Sequence, residues 1–182
     1  MDPIKELKNS NAILKLALND IREKIIEELV NILTGKTILM LSSFNQDDIA
    51  VHNFEYRHEW FSMVFFGSNA AGLTITEEND FLRNELNDYF SKSEELLDAV
   101  SDLEDDFEDE EEWEEMMEEY EQEKYEIFGE WFTSCWEEAQ KSTDSIVPTY
   151  FSIDEMDSGV ELMSSDSVEI NKNQINMRRY TH

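Results

Sequence analysis

Cysteine, glycine, proline and positive charge are all scarce in this chain, and each scarcity removes a class of explanation. The single cysteine, Cys135, cannot close an internal disulfide or assemble a thiolate metal site, which fits a reducing compartment. There are only two prolines and five glycines, and none of the glycines lies between Asp98 and Tyr125. An EF-hand calcium loop needs a glycine at its sharp turn, so this acidic stretch does not encode one. No run of about 18 apolar residues occurs, and the start, Met-Asp-Pro-Ile-Lys-Glu-Leu-Lys, has no apolar signal core, so neither membrane insertion nor export is expected and the expected location is the cytoplasm. Fourteen Lys and Arg stand against 44 Asp and Glu, a formal charge of -30. Direct binding of DNA, RNA or an anionic membrane is therefore disfavoured by repulsion.

What is present argues for a folded domain. A chain that is 40% hydrophobic and 12% aromatic is too rich for general disorder. From Pro3 to Leu33, Ile13, Leu14, Leu16, Leu18, Ile21, Ile25, Ile26, Leu29 and Ile32 recur at mostly helical spacing, and Gly35 is placed to end that helix. Three β-branched and aromatic stretches follow, Thr37 to Phe44, Ile49 to Tyr56 and Trp60 to Phe66, separated by polar residues. They predict a three-stranded antiparallel meander. Thr74-Ile75-Thr76-Glu77 offers a capping box for a second helix, whose face would carry Leu82, Leu86, Tyr89, Leu96, Val100, Leu103 and Phe107. A third helix is expected from Asp109 to Gln140, with Trp113, Met117, Tyr120, Ile127, Trp131, Cys135 and Ala139 on one stripe and Met116, Phe128, Phe132 and Trp136 beside it, and the two helices together should cover the sheet. Pro148 opens an extended segment to Ile153, Asp157-Ser158-Gly159 reads as a turn, and Val160 to Met163 as a returning strand. The expected architecture is thus α+β: an N-terminal helix, an antiparallel meander, two long acidic helices and a C-terminal β-hairpin. It forms one domain over 1–170, with 171–182 a flexible polar tail.

The most biased segment runs from Glu94 to Glu123, with 18 acidic residues among 30 and no Lys or Arg. Such runs are commonly solvated filler, yet Leu96, Leu97, Val100, Leu103, Phe107, Trp113, Met116, Met117 and Tyr120 interleave this one, so part of it should be amphipathic helix. As helix it would set one carboxylate per roughly 2.5 Å of axis, against about 1.7 Å per phosphate charge along duplex DNA. A groove lined with Lys and Arg could accept either surface. The carboxylates assigned to such contact are Asp105, Asp106, Glu108, Asp109, Glu110, Glu111, Glu112, Glu115 and Glu119, with Trp113 and Tyr120 as aromatic anchors.

Catalytic patterns find little support. Thr34-Gly35-Lys36-Thr37 resembles the end of a phosphate-binding loop, but Val30 stands where the first glycine belongs. His58-Glu59-Trp60-Phe61-Ser62 lacks the second histidine of a zinc protease motif. Glu55-x-x-His58 is one half of a di-iron pattern, without its mate. No Gly-x-Ser-x-Gly elbow occurs, and Cys135 lies on an apolar helical stripe, as a structural thiol would. On a strand, His52, Phe54, Tyr56, His58 and Trp60 would share a face, which suits packing or partner contact better than chemistry. The expectation is a non-enzyme with no cofactor and no metal site.

Phe128-Gly129-Glu130-Trp131-Phe132, Cys135-Trp136-Glu137-Glu138-Ala139 and Pro148-Thr149-Tyr150-Phe151-Ser152-Ile153-Asp154 resemble the C-terminal half of small acidic α+β immunity proteins of bacterial polymorphic toxin systems. That resemblance implies a non-enzymatic inhibitor that binds a cognate toxin and blocks its working surface. The leading expectation is a toxin inhibitor with a basic protein as partner. A phage or plasmid nucleic-acid mimic acting on a host defence or DNA-binding protein is the alternative, and an enzyme with an unrecognised carboxylate site stands third. The sequence leaves the oligomeric state open.

Overall fold

The computed structural model describes residues 3–57, 61–82, 84–102, 110–154, 158–164 and 166–169. Helix α1 spans Pro3–Leu33, as its periodicity requires. Its end is a left-handed glycine cap: Gly35 sits at φ +74°, the Lys36 N–H donates to the Asn31 carbonyl at 2.8 Å, and the Gly35 N–H donates to the Ile32 carbonyl at 2.8 Å. A Cβ at Gly35 would collide with the side chain of Gln46, which opens a single 3₁₀ turn over Gln46–Asp48.

A meander does form, but with shifted membership. Strand β1 (Val51–Arg57) pairs antiparallel with β2 (Ser62–Ser68), which pairs antiparallel with β3 (Asn79–Phe81). The expected first strand, Thr37 to Phe44, makes only an isolated bridge from Met40 to Thr76. Its expected place beside β1 belongs to β4 (Thr149–Ile153), which runs parallel to β1 with Phe54 opposite Phe151. Strands β5 (Ser158–Glu161) and β6 (Asp166–Glu169) extend that side, giving a six-stranded mixed sheet in the order β3-β2-β1-β4-β5-β6. The C-terminal hairpin is thus present, with its return strand beginning at Ser158, where a turn was expected, and with one further strand beyond it.

Helix α2 spans Asn87–Ser101 and α3 spans Glu110–Thr143. The capping-box expectation at Thr74 to Glu77 fails because that stretch is extended and already hydrogen-bonded. Thr74 bridges Ser68, and the Thr76 hydroxyl accepts the Gly67 N–H at 2.9 Å. Leu82, expected inside the helix, instead turns the chain between β3 and α2 at φ +88°. Leu103, Phe107 and the tail 171–182 lie outside the described residues.

Alternation along β1 and β2 puts Phe54, Tyr56, Met63 and Phe65 on one face. There they join Phe151 of β4, Leu14, Leu18, Ile25, Leu29 and Ile32 of α1, and Ile127, Phe128, Phe132, Cys135 and Trp136 of α3 in one buried cluster. Tyr89 and Phe90 of α2 reach it edge-on through Phe61. A second, smaller cluster unites Leu7 of α1, Val100 of α2, and Trp113 and Tyr120 of α3. The C-terminal half of α3 therefore belongs to the sheet core, and its N-terminal half to a three-helix contact.

Candidate functional site

The N-terminal half of α3 carries the most concentrated charge among the described residues. Trp113, Tyr120, Lys124, Ile127 and Phe128 form its buried stripe, while Glu111, Glu114, Glu115, Glu118, Glu119, Glu121, Glu126 and Glu130 are exposed. Like charges four apart, such as Glu111 with Glu115 and Glu114 with Glu118, each oppose the helix by about 0.2–0.5 kcal/mol. Two effects offset this. Burial of the Trp113 and Tyr120 side chains contributes about 1.5–3 kcal/mol each, and carboxylates near a helix N-terminus interact favourably with its unsatisfied N–H groups. From Glu111 to Glu130 the axis rises about 28 Å and carries ten glutamates, roughly one per 3 Å. Two ion pairs of α3 lie at its other end, Arg22 to Glu138 at 3.1 Å and Lys141 to Glu137 at 3.3 Å. Glu114, Glu115, Glu118, Glu119 and Glu121 have no salt bridge among the described residues.

The helix is held rigidly beneath that face. The Ser10 hydroxyl donates to the Tyr120 hydroxyl at 3.4 Å, and Ser93 lies 3.3 Å from the same oxygen. Asn11 donates to the Tyr120 carbonyl at 3.1 Å and to the Glu123 carboxylate at 2.9 Å. One tyrosine thereby ties α1, α2 and α3 together. One turn on, the buried Lys124 ammonium lies 5.2 Å from the Tyr120 ring centroid, 5.5 Å from Tyr125 and 5.8 Å from Phe61, a box of aromatic faces that suits a cation.

Of the residues singled out in the sequence, Glu111, Glu115 and Glu119 fall on the exposed face, and Glu110 and Glu112 lie in α3 beside them. Asp105, Asp106, Glu108 and Asp109 lie outside the described residues. Trp113, 8% exposed, and Tyr120, 2% exposed, were expected as surface anchors, but here they are packing residues. The periodicity that placed them on the apolar stripe already contained that outcome, because that stripe packs against Leu7 and Val100, with Met116 and Met117 partly buried alongside. Lys124 was missed, although it is the only Lys or Arg between Lys92 and Lys141 and stands four residues after Tyr120.

The sheet's titratable groups have structural partners. Glu55 is buried and pairs with Arg57 at 3.3 Å, which reaches Glu78 at 3.2 Å. His52, Phe54 and Tyr56 do share a face, and it is the core face, while His58 and Trp60 lie outside the described residues. Burial lowers the His52 pKa to about 4, and burial pushes the Cys135 thiol up to about 11. The described residues contain no group of three or more His, Cys, Asp and Glu arranged to hold a metal ion, and no helix long and apolar enough to cross a membrane. Comparisons of the chain with models of protein families, with curated proteins and with solved structures find no match.

Proposed function

We propose that this chain is a non-catalytic inhibitor that binds a basic protein and occludes its working surface. The observation that carries the reading is the exposed glutamate face of α3, in which Glu114, Glu115, Glu118, Glu119 and Glu121 have no salt bridge among the described residues, held in place by the Tyr120 network and by burial of the opposite stripe. A helix already packed in place has no backbone left to order on docking, and its row of carboxylates attracts a cationic cleft from a distance. Toxin inhibition is the leading setting, on the resemblance of Phe128 to Ala139 and Pro148 to Asp154 to immunity proteins. The spacing of roughly one carboxylate per 3 Å favours a second version of the same physics, in which the partner's groove ordinarily holds a nucleic-acid backbone.

The test is capture from cells of the native host with the tagged full chain, beside a variant in which Glu114, Glu115, Glu118, Glu119 and Glu121 are changed to glutamine. A basic protein retained by the wild type and lost by the variant supports the proposal. Retention of the same proteins by both would overturn it.

A further inference from the structure

The segment Ile38 to Leu41 is paired on one side only, through an isolated bridge. On one side it faces Thr74 to Glu77: Met40 bridges Thr76, the Leu41 N–H donates to the Ile75 carbonyl at 2.9 Å, and the Glu77 N–H donates to the Leu39 carbonyl at 2.7 Å. In an antiparallel pair the residue between two such bonds directs its own N–H and C=O the other way. Met40 is that residue, and among the described residues neither group has a backbone partner. Its neighbours are apolar on both faces. Ile38 packs against the main core, whereas Leu39 is 64% exposed and Leu41 39%. Leu73, which the same register sets opposite residue 43, is 51% exposed, and Phe44 is 36% exposed. An unbroken Ile-Leu-Met-Leu run is the pattern of a strand covered on both faces, and here one face and one edge stand open. Natural edges are normally protected by charge, proline or a covering element; between Ile38 and Leu41 there is no charge and no proline, and among the described residues no strand pairs with this edge.

The surroundings say what would cover it. Glu77, whose N–H bonds to the Leu39 carbonyl, is exposed, as are Asp47 and Asp48, six and seven residues after Leu41 in the chain. A second copy of the chain would bring together two bodies of charge -30, which repel. We infer that this edge receives an extended segment of a cationic protein as an added strand: its backbone bonds to Met40, its apolar side chains cover Leu39 and Leu41, and its Lys or Arg side chains are drawn by the strongly negative charge of the chain. Strand addition of this kind draws affinity from the main chain and specificity from alternate side chains. The inference rests on the cationic partner proposed above, yet it assigns the contact to a surface separate from α3.

The probe is a synthetic peptide, Lys-Val-Lys-Val-Lys-Val-Lys, added to the isotope-labelled full chain and followed by amide NMR. The expected result is movement of the signals of residues 38–42 and slowing of Met40 amide exchange by about tenfold or more, as for an amide newly paired in a sheet. Met40→Pro removes an N–H that has no backbone partner among the described residues, and the double change Leu39→Ser with Leu41→Ser removes outward-facing side chains only. Each should weaken the peptide by about tenfold or more. Equal binding of Lys-Ser-Lys-Ser-Lys-Ser-Lys, or of Glu-Val-Glu-Val-Glu-Val-Glu, would overturn the inference, the first by making charge sufficient and the second by making it irrelevant. A dimer in sedimentation that the two serines abolish would assign the edge to a second copy and also overturn it. Shifts confined to residues 111–130 would sink the strand-addition site while leaving the acidic-face proposal standing.

Discussion

The rings of Tyr56 and Phe128 stack with centroids 3.7 Å apart and planes 10° from parallel, joining the central strand β1 to helix α3 at the middle of the core. Both residues are fully buried, and the Tyr56 hydroxyl has no hydrogen-bond partner among the described residues. Phe128→Ala should therefore cost about 3–5 kcal/mol, as truncation of a buried aromatic does. Tyr56→Phe should cost little or should stabilise, because it removes an unsatisfied polar group while keeping the ring. Urea denaturation of the two variants checks both, and a Tyr56→Phe loss above about 2 kcal/mol would mean that the hydroxyl is bonded after all.

Lys124 sets cation–π attraction against desolvation. Three rings around a buried ammonium contribute on the order of 2 kcal/mol, whereas removing an ion from water costs several. Desolvation is the larger effect, so Lys124→Met, which keeps the stem's length and packing, should match or exceed wild-type stability. Lys124→Glu should unfold the three-helix contact, because it buries a carboxylate against the faces of aromatic rings. Thermal denaturation distinguishes these outcomes, and a Lys124→Met variant less stable by about 2 kcal/mol or more would show that the aromatic box prevails.

His52 makes the fold sensitive to mild acid. Its folded pKa lies at about 4 because of burial, below the ordinary 6.5, so the unfolded chain binds the extra proton first. The corresponding stability is fully present above about pH 6.5 and is lost as pH falls toward 4, amounting to roughly 2 kcal/mol at pH 5. Unfolding free energies at pH 7.5 and pH 5 should show that loss in wild type and not in His52→Gln. The comparison between the two chains removes the contribution of the carboxylates, whose protonation in acid relieves self-repulsion in both. Parallel pH profiles would contradict the burial of a neutral imidazole.

Local signals were legible where one element decides its own structure. The apolar period and Gly35 located α1 to its ends, and the stripe from Trp113 to Ala139 located α3 within a few residues. Partner choice was not legible. Thr37 to Phe44 and Thr149 to Tyr150 to Ile153 have equal claims to a place beside β1, and only the return of the chain through α3 hands that place to β4. The same nonlocal choice turned Thr74 to Glu77 from a helix cap into an extended segment, because its backbone groups are taken by Gly67, Leu39 and Leu41. In the candidate site the acidic face could be read from composition alone. The inward turn of Trp113 and Tyr120 depends on Leu7, Ser10 and Ser93, which lie far off in the chain and carry no mark of that contact.

The association rate measures the role of the α3 glutamates most directly. With the partner recovered by capture, it should be followed at 0.1 M and 1 M salt for wild type and for a chain carrying glutamine at Glu111, Glu114, Glu115, Glu118, Glu119 and Glu121. Electrostatic steering raises on-rates by about 10- to 1000-fold and is screened as the Debye length falls from about 10 Å to about 3 Å. Wild type should associate at least about tenfold faster at the lower salt, and the six-amide chain should be slow at both while folding as stably as wild type or more so. Equal on-rates for the two chains at 0.1 M would contradict the assignment of recognition to this face.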